Sequence, residues 1–254
     1  MVTRMSGLPT IVLLGGLLLG CGCRAPMATD QEGPGGDRYA AARERMVSAQ
    51  LAARGIRDPR VLDAVRRVPR HLFVPDGLRD RAYADAPLPI GHGQTISQPY
   101  IVALMTELLE PRPTDRALEI GTGSGYQAAV LSPLVKEVFT IELVDTLARQ
   151  AEERLRALSY ANVVVRSGDG YGGWPAQAPF DVIVVTAAPE QVPPALLEQL
   201  APGGRLVIPV GPRGGEQVLR LIVKDARGRL RTRDVAPVLF VPLLRKDGAA
   251  SPER

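Results

Sequence analysis

From residue 116 onward the chain alternates between short apolar runs and longer amphipathic segments. Arg116–Ile120, Glu137–Glu142 and Val163–Ser167, with 181–186 and 205–210, are runs of strand length rich in β-branched residues. Between them, 127–134, 145–158 and 193–200 repeat apolar side chains at helical intervals. Strands that are apolar almost throughout, separated by helices, predict a parallel sheet covered on both faces. Ala201-Pro202-Gly203-Gly204 reads as a helix stop and a tight turn. The pattern then changes: Gln217–Lys224 and 235–243 are strands joined by the hairpin-like link Asp225-Ala226-Arg227-Gly228-Arg229. The expected fold is α/β, with a Rossmann-like, mostly parallel, doubly wound sheet.

The preceding segment is helical and loop-rich. Residues 39–54 have helical periodicity, and Asp58-Pro59 supplies an N-cap and a first-turn proline for a helix to about Arg67. Val68-Pro69-Arg70-His71-Leu72-Phe73-Val74-Pro75 breaks that helix, 83–95 reads as a loop marked by proline and glycine, and Pro99–Leu109 as a helix. Residues 1–21 are laid out as a lipoprotein-type signal peptide. Arg4 precedes an apolar stretch over 11–19, and Leu18-Leu19-Gly20-Cys21 resembles a bacterial lipobox with Cys21 as the lipidated residue. That stretch is too short to span a bilayer. A translation start at Met5, Met27 or Met46 is the alternative. Residues 22–38 read as a flexible tether, 39–245 as one domain (an extension over 39–100 and an α/β core over 101–245), and 246–254 as a tail.

Composition narrows the chemistry. A net charge of +4 carried mainly by dispersed arginine, with 4% aromatic residues, gives no nucleic-acid surface. Both cysteines, Cys21 and Cys23, lie near the N-terminus, and the two histidines, His71 and His92, are far apart in sequence. No thiol nucleophile, Cys-based metal site or histidine-rich metal cluster is expected in the domain, and none of its chemistry calls for a metal.

The glycine turn Gly121-Thr122-Gly123-Ser124-Gly125 follows the apolar run 117–120 and opens a helix. Glycines allow close backbone approach, and the helix start offers free N–H groups. The spacing is G-x-G-x-G, whereas dinucleotide sites use G-x-G-x-x-G. Glu119 just before the turn would repel a pyrophosphate and welcome a cation or a hydroxyl-bearing ligand. Ligands of open α/β sheets lie beyond the carboxyl ends of the strands. Glu142 stands at such an end, about 20 residues past the turn, where an acid accepts from ribose hydroxyls. Asp169-Gly170 follows the third strand, with Asp169 able to accept from an adenine amino group. S-adenosyl-L-methionine (AdoMet), with its sulfonium, ammonium and ribose, fits this set better than NAD.

The block Gly91-His92-Gly93-Gln94-Thr95-Ile96-Ser97-Gln98-Pro99, with Val68-Pro69-Arg70-His71-Leu72-Phe73-Val74 and Val185-Thr186-Ala187-Ala188-Pro189, closely resembles the protein-L-isoaspartate O-methyltransferase family, over about residues 46–243. The resemblance implies a class I Rossmann-like methyltransferase, acting as a monomer. It would pass the AdoMet methyl to the free α-carboxylate of isoaspartyl residues in damaged proteins, which then revert through a succinimide. It implies Ser97 as the active-site serine, with Thr95, Ile96 and Gln98 in the same loop. It also implies Ala187, Ala188, Pro189, Val210 and Gly211 along the peptide site, where backbone groups would hold an extended substrate. Ser97 also reads as an N-cap for Pro99–Leu109, His92 as a loop residue and His71 as a packing residue. Tyr171 and Trp174 would cover the adenine or pack under the sheet edge. Such an enzyme belongs in the cytoplasm, where AdoMet is made, whereas a lipid anchor at Cys21 would place it in the periplasm. A methyltransferase for another substrate and a non-catalytic envelope lipoprotein that binds damaged peptides are the rival readings.

Overall fold

The computed structural model describes residues 37–246, so the signal and tether expectations, Cys21 included, lie outside the described residues. The helix expected over 39–54 is three pieces: α1 (Ala40–Arg45), a π-helical turn (Met46–Leu51) and a 3-10 turn (Ala52–Arg54) closed by Gly55 at φ +101°. The wider π turn buries Met46, Val47 and Leu51 together. A product starting at Met46 would therefore lose α1 and the stacking of Tyr39 on His71, 4.2 Å between ring centroids.

Helix α2 (Pro59–Arg67) has the expected cap, with Asp58 accepting from the Arg60 N–H at 2.8 Å. Two 3-10 turns follow, Arg70–Phe73 and Asp76–Arg81. The loop expected over 83–95 contains a hairpin of β1 (Leu88–Gly91) and β2 (Gln94–Ile96). His92 and Gly93 form its two-residue turn, both with positive φ, the geometry that matches the twist of paired strands. Helix α3 (Pro99–Leu109) begins where expected, but its N-cap is Gln98, with no side-chain cap bond. Ser97 is therefore not a helix cap.

The remaining elements are β3 (Arg116–Ile120), α4 (Tyr126–Leu131), β4 (Glu137–Glu142), α5 (Asp145–Ala157), β5 (Val163–Ser167), β6 (Phe180–Val185), α6 (Pro194–Gln199), β7 (Leu200–Val210), β8 (Gln217–Lys224) and β9 (Leu230–Val238). One seven-stranded sheet has the order β5-β4-β3-β6-β7-β8-β9, parallel through β7 and antiparallel beyond it. Two expectations change. Ala201-Pro202-Gly203-Gly204 is the irregular start of β7, where a side chain on Gly204 would meet the Ala201 and Asp181 carbonyls at 2.8 Å. The last strand is β9, earlier than 235–243. After it the chain leaves the sheet and runs beside Ala188, whose N–H donates to Val241 O (2.8 Å) and whose O accepts from Leu243 N–H (2.9 Å).

The extension shares an apolar core with α3, α4 and one sheet face, whereas α6 packs on the other face around Phe180, Ile183 and Leu206. Full burial of each large aliphatic side chain contributes about 1.5–3 kcal/mol. That shared core fixes the loop bearing Ser97 relative to the strand ends.

Candidate active site

The crevice forms where the strand order switches, at the carboxyl end of β3 between β4 and β6. Gly121 adopts φ +95°, and a Cβ there would stand 2.4 Å from the Thr186 hydroxyl. Thr186, just past β6, donates that hydroxyl to Gly121 O at 2.6 Å. Thr122, Ser124 and Gly125 are buried beneath the turn's surface. At the end of β4, Glu142 accepts from Gly123 N–H (2.8 Å) and Val144 N–H (3.0 Å), so one carboxylate joins two loops. Asp169 accepts from Tyr171 N–H at 2.8 Å and thereby sets the 3-10 turn Gly170–Gly172. Gly170 packs so tightly on β3 that a Cβ would reach Ile120 Cγ2 at 2.4 Å.

These strand ends form a cleft open to solvent, walled by Ile120, Gly121, Gly123, Glu142, Gly170 and Thr186 and by Val241, Pro242, Leu243 and Leu244 of the C-terminal segment. A second, open cavity holds Ser97 and Gln98, with Ile101, Glu216 and Phe240 among its walls. Thr95, Thr186 and Val241 line both, so the two spaces meet there. Ser97 is half-buried, and its hydroxyl makes no hydrogen bond among the described residues, while its carbonyl accepts from Arg70 Nη2 at 2.7 Å. Gln98 donates to Asp85 at 2.7 Å. Ile96 is buried in the core behind the loop and does not face the cavity.

Several expected site residues are placed elsewhere. Ala187 lines the strand-end cleft, not the Ser97 cavity. Ala188 uses its backbone groups on the chain's own C-terminal segment, Pro189 O accepts from Gly211 N–H (3.1 Å), and Val210 is buried. The Ala188 N–H and O and the Pro189 O are therefore already paired within the chain. His71 is buried and shares a 2.7 Å hydrogen bond with the Tyr83 hydroxyl, and His92 is exposed in the hairpin turn. Trp174 packs edge-on against Phe139, and Tyr171 lies under the Arg245 guanidinium.

Glu119 does not line the cleft. It is fully buried below the turn, accepts from the Thr140 hydroxyl at 2.6 Å, and leaves its other oxygen without a partner. Burial is the main cause that pushes its pKa up to about 8, with the Glu142 charge adding to it and the Thr140 bond opposing it. The folded state therefore holds a proton that the unfolded chain releases near pH 4.5. Stability should fall as pH rises from about 4.5 through about 8, at no more than about 1.4 kcal/mol per pH unit. Glu119→Gln should lack this component, so its denaturation midpoint should gain on that of the parent between pH 6 and pH 9. Parallel midpoints would mean that Glu119 is ionised throughout.

Thr186 and the segment of Val241 to Leu244 were not singled out by sequence as cleft walls. Thr186 follows an apolar strand and could have been found by the strand-end rule. The C-terminal segment has no periodicity to mark it.

Among solved structures, a protein-L-isoaspartate O-methyltransferase is 30% identical, with a TM-score of 0.73 over 81% of this chain and 67% of that one. A structure from Plasmodium falciparum, described as a beta-aspartate methyltransferase (PCMT) in complex with S-adenosyl-L-homocysteine, is 26% identical, with a TM-score of 0.68 over 80% and 98%. The protein-L-isoaspartate O-methyltransferase of Methylorubrum extorquens (strain PA1) is 59% identical over 213 residues, 84% of this chain and 92% of the relative. That of Synechococcus sp. (strain JA-2-3B'a(2-13)) is 56% identical over 225 residues, 86% and 92%. The family model for protein-L-isoaspartate(D-aspartate) O-methyltransferase matches residues 41–248, a span that takes in the Ser97 loop, the glycine turn and the C-terminal overlay alike. With sequence, fold and crevice in agreement, the chain belongs to the protein-L-isoaspartate(D-aspartate) O-methyltransferase family.

Proposed function

We propose that the chain transfers the methyl group of AdoMet to the free α-carboxylate of L-isoaspartyl residues in damaged proteins. The observation that carries this reading is the junction of the two cavities at Thr95, Thr186 and Val241, with the unpartnered Ser97 hydroxyl on the acceptor side. When bound, AdoMet supplies an electrophilic methyl carried by a sulfonium. The cleft fits such a ligand, because Gly121, Gly123 and Gly170 line it without side chains and the Glu142 carboxylate stands among them. The turn Gly121-Thr122-Gly123-Ser124-Gly125 would hold the amino-acid end, Glu142 would accept from the ribose hydroxyls, and Asp169-Gly170 would border the adenine. Glu119 would support the turn from beneath through Thr140 and Thr122, since Thr122 and Thr140 hydroxyls are 2.6 Å apart.

A carboxylate with a pKa of about 4 is already ionised at neutral pH, so the acceptor needs no general base. The site has to align carboxylate oxygen, methyl and sulfur and keep water out. The Ser97 hydroxyl would donate to the acceptor carboxylate, with Thr95 and Gln98 beside it. The extension over 39–100 supplies Thr95, Ser97 and Gln98, and the core over 101–245 supplies the rest of the acceptor cavity and most of the cleft. Release of the product ester to a succinimide needs no further group from the protein. The partners in this reading are isoaspartyl-bearing proteins, met by a monomer.

The same reading places the working enzyme in the cytoplasm. Among the described residues no helix is long and apolar enough to cross a membrane. Fractionation of a chromosomally expressed, C-terminally tagged protein would test this. Recovery wholly in the membrane, with palmitate labelling lost on Cys21→Ala, would favour the anchored alternative.

Ser97→Ala tests the acceptor assignment. A hydrogen bond to a charged group contributes about 1.5–3 kcal/mol, so kcat/KM for an isoaspartyl peptide should fall about tenfold to hundredfold. The AdoMet Kd, read by calorimetry, should stay within about twofold, because Ser97 does not line the cleft. Undiminished kcat/KM would remove Ser97 from the acceptor site.

A further inference from the structure

We propose that Arg70 is a positioning residue for methyl transfer, holding the Ser97 loop at a fixed distance from the helix that follows the glycine turn. Its side chain is fully buried and forms no ion pair among the described residues. Instead, Nη2 donates to Ser97 O at 2.7 Å and Nε to Ala82 O at 2.8 Å. The guanidinium lies 4.7 Å from the ring centroid of Tyr126, the first residue of α4 after Gly125. One planar group thus touches the acceptor loop, the segment before β1 and the start of α4.

A buried guanidinium without a carboxylate is costly, and a packing role alone would be filled better by an apolar side chain. What the arginine adds is direction: its rigid fork points two N–H groups at carbonyls from two different irregular segments. Ser97 lies between β2 and α3, its carbonyl belongs to neither element, and Arg70 donates to it. Release of that carbonyl would let the peptide after Ser97 rotate and carry the hydroxyl off the acceptor. Misplacement by about 1 Å can cost on the order of a hundredfold in rate.

The inference rests on Ser97 acting at the acceptor, and a double-mutant cycle in the full-length protein separates the two claims. Arg70→Met should lower kcat for an isoaspartyl peptide about thirtyfold, with the AdoMet Kd changed less than about threefold. Arg70→Lys, which keeps the charge and loses the fork, should also lose rate. In a Ser97→Ala background the Arg70→Met loss should shrink to less than about threefold, because no hydroxyl remains to be positioned. A thirtyfold loss in both backgrounds would overturn the positioning role while leaving the Ser97 result intact. So would full activity in a folded Arg70→Met protein, or a fall in AdoMet affinity that matches the fall in kcat. Failure of both the Met and Lys variants to fold, judged by circular dichroism, would make Arg70 a folding residue and overturn it too. If Ser97→Ala alone retains full rate, the acceptor assignment fails first and this inference falls with it.

Discussion

Gly121→Ala should abolish measurable AdoMet binding. The position combines a left-handed backbone, φ +95°, with a Cβ direction that ends 2.4 Å from the Thr186 hydroxyl. The left-handed conformation costs an L-residue about 1–2 kcal/mol. The steric conflict is worse, because that hydroxyl is anchored to Gly121 O at 2.6 Å and to Ile120 O at 3.1 Å. To relieve the conflict Thr186 must swing its side chain away and give up both bonds. The expected result is a rise in Kd of at least about a hundredfold, or about 3 kcal/mol, together with a lower Tm. Gly123→Ala is the matched control. Its Cβ would meet only Ile90 Cδ1, at 3.4 Å, and its φ of +52° is one that other residues sometimes adopt. Calorimetry on the two variants should show a loss at Gly121 at least about tenfold greater. Equal losses would mean that loop flexibility, not the fit against Thr186, makes the cradle.

Glu142→Ala should be almost as damaging, for a different reason. Its carboxylate is buried and already accepts from the N–H groups of Gly123 and Val144. Each oxygen has a second lone pair free for a ribose hydroxyl. The alanine variant loses the ligand contact and also leaves two loop N–H groups without their acceptor. With about 1.5–3 kcal/mol for each bond to a charged group, the AdoMet Kd should rise about a hundredfold or more. Glu142→Gln should fall between, since its amide oxygen can still accept from one loop while its NH2 faces the donor of the other. A Glu142→Ala protein that keeps its AdoMet affinity would place the ribose elsewhere in the cleft.

The strands β3, β4, β5 and β8 and helices α2 and α3 stand at the positions expected from sequence. Their periodicity is strong and their ends are marked by proline, glycine or charge. The strand-end rule brought Glu142 and Gly170 to one cleft. It could not place Glu119, because its orientation depends on pairing: Glu119 is in register with Thr140 of β4 and bonds to its hydroxyl, whereas the next residue, Ile120, borders the cleft. The β1–β2 hairpin was hidden because its strands have four and three residues and its turn reads as a glycine-rich loop. Arg70 was hidden because arginine is seldom fully buried, and a lone one between prolines reads as a surface charge. The course of Val241 to Leu244 depends on backbone bonds to Ala188, which no side-chain pattern records.

The decisive measurement is methyl transfer from methyl-labelled AdoMet to two synthetic peptides that differ only in an isoaspartyl or an ordinary aspartyl linkage, with the full-length protein. Base-labile label on the isoaspartyl peptide alone is the expected result. No label on either peptide while AdoMet still binds would contradict the isoaspartyl reading and point to another acceptor; equal label on both would deny the Ser97 cavity its selectivity.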